Sequence, residues 1–156
     1  MKILGIDPGY DRTGIAVIEK DGSKNALLHS ECFTTDAKWP FYERLVAIQD
    51  RILHILEEFK PDALAIETLF ITNNQKTGMR VAEARGVIAV AAAERKIPIF
   101  EYSPPEIKAA ITGDGKSDKA QIIKMIGLLL EIPPRKRHDD EYDAIAVALT
   151  CSAIEK

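Results

Sequence analysis

The stretch Ile3-Leu-Gly-Ile-Asp-Pro-Gly-Tyr-Asp-Arg-Thr-Gly-Ile-Ala-Val-Ile18 decides the fold, because it contains two strands and the turn between them. An apolar run of strand type ends in the carboxylate of Asp7. Pro8 and Gly9 break that run, and a second strand begins at Thr13. In a mixed α/β sheet, residues at a strand end face the crevice where ligands bind. Asp7 is therefore the first candidate site residue.

Working outward, hydrophobic periodicity predicts further elements along the rest of the chain. The strands are predicted at Lys2–Asp7, Thr13–Glu19, Ala26–Thr34, Ala63–Glu67 and Ile97–Tyr102. Helices are predicted over residues 41–59, 76–94, 103–112, 117–130 and 140–154. Short links predict that the first three strands form an antiparallel meander, and a helix before the fourth implies a parallel pairing. We therefore expect one α/β domain over residues 1–156, with a five-stranded mixed sheet and helices on both faces.

The bulk composition is that of an ordinary soluble domain. The chain has 156 residues, 46% hydrophobic and 29% charged, a single-domain length with room for a core. No apolar run approaches the ~20 residues of a membrane span. Cys32 and Cys151 lack metal-type spacing. Two unpaired cysteines and no signal-peptide pattern predict a cytoplasmic location.

Charge is distributed unevenly along the chain. The net charge is −3, yet residues 72–137 carry 12 basic and 7 acidic side chains. The segments before and after carry 8 basic with 12 acidic residues and 1 basic with 5 acidic residues, respectively. A basic middle between acidic ends is compatible with a phosphate-binding surface beside a metal-binding cluster. Ordinary solvated helix faces explain the same numbers equally well.

Two carboxylates end predicted strands. Asp7 closes the first strand, and Glu67 follows the apolar run Ala63–Ile66. If these strands are parallel neighbours, both acids emerge at one edge of the sheet. Burying a charge beside such a run is costly unless it has a partner, and a metal ion would be such a partner. The alternative is that each is a solvated acid at a strand end.

A third acidic group opens the last helix. Asp140 and Asp143 are three residues apart and share a helix face, and Asp143 directly precedes an apolar Ala-rich run. Acids are also favoured at helix N-termini by capping and the helix dipole, which leaves a structural explanation open. Four carboxylates suit a hard cation such as Mg²⁺. Two such ions, roughly 3.5–4 Å apart, are a common arrangement for cutting a phosphodiester.

The predicted helix 76–94 has an unusual second half. Val87–Ala93 is small and apolar on all sides, which permits close backbone approach. Burial of this helix on its own sheet and sharing of it with a second subunit in a symmetric dimer remain equal alternatives.

Five motifs in order resemble the RuvC family of Holliday-junction resolvases. They are Ile3–Val17, Ala65–Phe70, Ala84–Gly86, Phe100–Tyr102 and Asp140–Ala146. The resemblance covers nearly the whole chain. It implies an RNase H-like fold, a homodimer, and Mg²⁺-dependent symmetric nicking of four-way DNA junctions in recombination and repair. It also implies two Mg²⁺ ions per site, with Mn²⁺ as a possible substitute, and the RuvA–RuvB branch-migration complex as a possible partner.

The same resemblance implies roles for individual residues. Asp7, Glu67, Asp140 and Asp143 match the catalytic metal ligands of the family. Phe70 matches an aromatic residue that stacks on an unpaired junction base; Lys108 and Lys119 match basic residues near the cleaved DNA strand. Core packing for Phe70 and ordinary solvation for the lysines are the alternatives. His138 or Asp139 can also contribute to the site, since family members can carry histidine at the third ligand position.

Three other functions share parts of this sequence pattern. A related resolvase-like group that acts on RNA shares the Asp-x-Gly pattern, but the acidic motifs fit RuvC better. A nucleotide-binding module of the actin and sugar-kinase type needs two such domains, and this chain is too short. Gly115-Lys116-Ser117 is not a P-loop, because Ala110 stands where a glycine is required. A non-catalytic DNA-binding scaffold would not need all four acids.

Overall fold

The computed structural model describes residues 1–69, 75–130, 132 and 135–155. Its strands are β1 (Lys2–Asp7), β2 (Arg12–Asp21), β3 (Lys24–Thr34), β4 (Ala63–Glu67) and β5 (Ile99–Tyr102). Its helices are α1 (Phe41–Phe59), α2 (Gln75–Ala93), α3 (Pro104–Thr112), α4 (Lys119–Leu129) and α5 (Asp139–Ile154). The predicted order of elements is confirmed. No helix in these described ranges is long and apolar enough to cross a membrane.

The five strands form one mixed sheet in the order β3-β2-β1-β4-β5. The first three strands are antiparallel, and β4 pairs in parallel with both β1 and β5. The predicted meander and the parallel return after α1 are therefore confirmed. The hairpin between β2 and β3 is longer than predicted, because both strands run to a tight turn at Gly22, whose φ is +60°.

Helices cover both faces of the sheet, as predicted. Helices α1 and α2 pack on one face, in a core built largely from aliphatic residues such as Leu4, Ile48 and Ile88. Helices α3, α4 and α5 pack on the other face around residues such as Ile3, Ile126 and Ala148. The alternation of side chains along β1 explains this division, since neighbouring residues point to opposite faces.

The fifth strand starts two residues later than predicted, at Ile99. The amide of Ile97 donates to the carbonyl of Ala92, 3.1 Å away, so this residue closes the end of α2. Lys96 adopts a left-handed conformation with φ of 58°, which turns the chain before the strand can begin. The hydrophobic pattern alone did not show this helix-ending turn.

Two glycines allow α5 to approach the sheet closely. A Cβ atom on Gly5 would lie 2.3 Å from the carbonyl oxygen of Ala144, and one on Gly14 would lie 1.9 Å from that of Asp140. Real Cβ atoms do not approach backbone so closely. Because Gly5 on β1 and Gly14 on β2 have no side chain, the backbone of α5 can lie directly on the sheet at these two positions.

Candidate active site

Three elements meet at one edge of the sheet. Asp7 is the last residue of β1 and Glu67 is the last residue of β4. These strands are parallel, and the register pairs Ile6 with Ile66 immediately before the two acids. The two carboxylates therefore emerge side by side, as expected for the carboxyl ends of neighbouring parallel strands.

Helix α5 brings the other two acids to the same edge. Asp140 and Asp143 lie in its first turns, and its N-terminus rests on Gly14, which is paired with Asp7 across β1 and β2. The missing side chain at position 14 is what admits the Asp140 backbone. The structure thus gathers the four predicted acids from β1, β4 and α5.

Replacing Gly14 by Ala should destabilise the fold. The new methyl group would meet a backbone carbonyl, which cannot swing aside as a side chain can, so α5 must shift away from Asp7. We expect a loss of about 2–3 kcal/mol in unfolding free energy, measured by thermal melting. Gly127→Ala, in open space on α4, is the matched control, and an unchanged Tm for Gly14→Ala would contradict the proposed packing.

The charges of these acids act on one another. Burial and, after it, the neighbouring carboxylates of Asp143, Glu67 and Asp140 together raise the pKa of Asp7 to about 8. Burial and Asp143 likewise raise the pKa of Glu67. Burial raises the pKa of Asp143 despite the nearby Lys119. The edge therefore concentrates negative charge without enough positive charge to balance it.

Two basic side chains already contact members of this acidic group. Lys119 Nζ lies 3.1 Å from Asp143 and 3.2 Å from Asp139. These contacts raise the pKa of Lys119 although partial burial acts in the opposite direction. Arg12 Nε lies 3.5 Å from Asp140. Asp140 and Asp143 thus each face a basic side chain at the edge where a metal ion would bind.

The donor set fits a hard cation, but the side chains are not closed around one. Within residues 1–69, 75–130, 132 and 135–155, no three His, Cys, Asp or Glu side chains are arranged to hold a metal ion together. Arg12 and Lys119 instead pair with Asp140 and Asp143, and carboxylates repel one another when no cation lies between them. The oxygen-only chemistry of the group is what Mg²⁺ requires.

Open space adjoins the acids on two sides. One cavity of about 260 Å³ is lined by Asp7, Glu67 and residues that follow each of them. Another of about 150 Å³ is lined by Glu67, Asp143 and Lys108. Lys108 therefore lies beside two of the acids. Phe70 lies outside the described residues.

Sequence reasoning missed some neighbours of Asp140. Besides Arg12, Cys32 Sγ contacts the Asp140 carboxylate at 3.7 Å. Burial and Asp140 raise the pKa of the Cys32 thiol to about 11. Cys32 stands opposite Gly14 across β2 and β3, a register that the sequence did not reveal. Arg12 is the first residue of β2, five residues after Asp7. Its closeness to Asp7 in the sequence could have indicated that it lies near the acids. His138 precedes α5 as its capping residue.

Comparisons with known proteins agree with this arrangement. The family described as "Crossover junction endodeoxyribonuclease RuvC" matches residues 3–151. A relative with that description from Thermosipho melanesiensis is 46% identical over 155 residues, which cover 99% of this chain and 98% of the relative. RuvC from Thermus thermophilus, solved with a Holliday junction substrate, superposes with a TM-score of 0.92 at 34% identity, covering 98% of this chain and 93% of that one.

A more distant structure supports the fold alone. The yeast mitochondrial Holliday junction resolvase has a TM-score of 0.70 at 16% identity, covering 95% of this chain and 76% of that one.

The fold and the acidic edge together define a nuclease of the RNase H-like class. The chain belongs to the RuvC family of crossover junction endodeoxyribonucleases. Nucleases of this type depend on a metal ion and act at Holliday junctions in recombination and repair. The family resemblance read from the five motifs is confirmed.

Proposed function

We propose that this chain resolves four-way DNA junctions by paired symmetric nicks, with Asp7, Glu67, Asp140 and Asp143 as ligands of catalytic Mg²⁺. The observation that supports this most is the charge imbalance around Asp7, whose pKa of about 8 reflects burial among three other acids. Divalent cations would remove that imbalance. We further propose that residues 1–156 form one nuclease domain.

The metal chemistry follows from the ligand set. When bound, one Mg²⁺ ion would activate the attacking water and a second would stabilise the leaving oxygen. Asp7 neighbours Glu67 through the pairing of β1 with β4, and Gly14, its partner on β2, packs against the backbone of Asp140, so we expect Asp7 to be one of the ligands. Mn²⁺ has the same preference for oxygen donors and is expected to substitute.

The basic residues beside the acids would serve the DNA. Metal binding at Asp143 would release Lys119 from its 3.1 Å ion pair with that residue. A released ammonium group can then contact a phosphate next to the cleaved bond. Lys108 lines the cavity next to Glu67, and we expect it to contact the same strand. We assign Phe70 to stacking on a base, which would contribute roughly 1–3 kcal/mol.

Paired nicks require two active sites, and the exposed faces of α1 and α2 offer a surface for a second copy. A groove of about 390 Å³ runs between these helices. Val90 lines this groove, and further large apolar side chains are exposed on the same two helices: Tyr42, Val46 and Met79. The buried face of α2, with Ala84 and Ile88, packs on the sheet. The exposed face of the same helix therefore stays available for contact with a second subunit. We propose a homodimer at this surface, and the RuvA–RuvB branch-migration complex as a further partner.

Val90→Asp should convert the dimer into a monomer. The side chain of Val90 is 51% exposed, so a charge is tolerated by the monomer but costly when buried in a dimer interface. Sedimentation velocity at micromolar concentration should show the change, and the two cuts in one junction should become uncoupled. Leu128→Asp on α4, where the leucine is 72% exposed, is the control. A Val90→Asp variant that sediments as wild type would argue against this interface.

The proposed reaction is tested by substrate choice. A labelled four-way junction and a linear duplex of the same sequence are incubated with the protein, with Mg²⁺ or with EDTA. We expect symmetric cuts in the junction with Mg²⁺, very little cutting of the duplex, and none in EDTA. Equal cleavage of the two substrates would refute junction resolution, and cleavage in EDTA would refute the metal mechanism.

A further inference from the structure

Glu141 is an acidic residue next to Asp140 that the proposed mechanism does not use. Only 2% of it is exposed, and a buried carboxylate is costly unless it is paired and hydrogen-bonded. The Ser30 hydroxyl donates to its Oε2 at 3.0 Å, and the His138 amide donates to Oε1 at 3.2 Å. Arg135 Nη1 donates to the same Oε1 at 3.3 Å. Both carboxylate oxygens of Glu141 therefore accept hydrogen bonds.

Arg135 joins this carboxylate to the edge strand β3. Its Nη2 pairs with Glu141 Oε2 and also donates to the Ser30 carbonyl at 2.8 Å and the Ser30 hydroxyl at 2.9 Å. One guanidinium thus connects three parts of the fold: residues 135–137 before α5, the first turn of α5, and β3. A planar fork with several donors suits such a junction better than a lysine would.

The same strand also contacts the residue before Glu141. Cys32, two residues after Ser30 and on the same face of β3, contacts Asp140 Oδ2 at 3.7 Å. The opposite face of β3 is used differently, since Glu31 pairs with Arg51 of α1 at 2.6 Å. Strand β3 therefore holds two successive residues of α5, one of which is a proposed metal ligand.

We infer that Glu141 is a positioning residue whose contacts with Arg135 and Ser30 fix Asp140 relative to Asp7. Glu141 acts through the backbone of the first α5 turn and through β3, and does not touch the metal or the DNA. The inference rests on the proposed role of Asp140 as a metal ligand. Arg135 also anchors residues 135–137 beside the site through its contacts with Ser30 and Glu141.

The test removes both charges together. A double variant, Arg135→Met with Glu141→Gln, leaves no buried unpaired charge, and replacing both partners of a buried pair is often tolerated. We expect a folded protein with unchanged junction affinity. The Mg²⁺ concentration for half-maximal nicking should rise about tenfold, and kcat should fall about 10–100-fold, as is usual when a residue supporting a metal ligand is lost. The single variant Arg135→Lys keeps the positive charge without the planar fork, and it should retain more activity than the double variant.

Matched variants separate positioning from general stability. Arg51→Met removes a comparable ion pair on the other face of β3 and should leave the Mg²⁺ dependence unchanged. If the double variant does not fold, Ser30→Ala removes one donor and keeps the ion pair, and a rise of about threefold in half-saturating Mg²⁺ is expected. Normal Mg²⁺ dependence in the folded variant, or an equal change in Arg51→Met, would overturn the inference.

Asp140→Asn distinguishes this inference from the proposed function. If Asp140→Asn nicks junctions normally, the ligand role of Asp140 is wrong and the inference falls with it. If Asp140→Asn is inactive while the double variant has wild-type Mg²⁺ dependence, only the positioning role of Glu141 is wrong.

Discussion

Asp7→Asn should abolish nicking of a four-way junction while leaving junction binding intact. The substitution keeps the shape of the side chain but removes the charge that the proposed Mg²⁺ ions share. A metal ion contributes several kcal/mol to transition-state stabilisation, and each 1.4 kcal/mol corresponds to a tenfold change in rate. We therefore expect a loss of at least about 1,000-fold in kcat.

The measurement is a single-turnover nicking assay paired with a gel-shift titration in Ca²⁺ or EDTA. Asp21→Asn, at the far end of β2 where the side chain is exposed, is the control and should retain both activities. Retained cleavage by Asp7→Asn with weakened junction binding would assign Asp7 to DNA contact instead of metal binding.

Asp7→Asn should also stabilise the metal-free protein, and more so at high pH. The folded-state pKa of Asp7 is raised to about 8 by burial and neighbouring acids, against an ordinary value of 3.8. Between these values the folded state holds a proton that the unfolded state has released. Stability of the wild type therefore falls as pH rises from about 4 to about 8, and the full penalty is present above pH 8.

Thermal melting in EDTA at pH 5 and pH 9 measures this difference. At pH 5 the Asp7 carboxyl is protonated in the folded state and only the first part of the penalty has accrued, so the variant should melt only slightly above the wild type. At pH 9 the variant should be more stable by a few kcal/mol, or on the order of 10 °C in Tm. Adding Mg²⁺ should raise the Tm of wild type more than that of the variant. Equal Tm values for the two proteins at pH 9 would contradict the charge imbalance.

The strand-end acids could be predicted because their placement depends on local pattern and parallel pairing. Asp7 and Glu67 each follow an apolar strand, and the helix between those strands requires a parallel pairing. The class of fold follows from the same pattern of strands and helices. The starts of α3 and α4 follow from local capping residues: the Ser103 amide donates to the Glu106 carboxylate, and the Gln121 amide donates to the Asp118 carboxylate.

The surroundings of Asp140 could not be predicted, because they depend on how distant segments pack. The pairing of β2 with β3 shifts between Val17 and Ile18, where the partners change from His29 to Leu27. An irregularity of this kind changes which side chains face α5, so the contacts made by Ser30 and Cys32 could not be read from alternation. The backbone approach at Gly14 likewise depends on the position of α5, which no local signal encodes.

The central claim is that the carboxylates at this sheet edge bind the catalytic metal, and anomalous diffraction from Mn²⁺-soaked crystals tests it most directly. We predict a strong Mn²⁺ peak within coordination distance of Asp7 and of at least two oxygens from Glu67, Asp140 and Asp143, with Lys119 displaced from Asp143. Mn²⁺ bound only elsewhere, with Lys119 still paired to Asp143 at 3.1 Å, would contradict it.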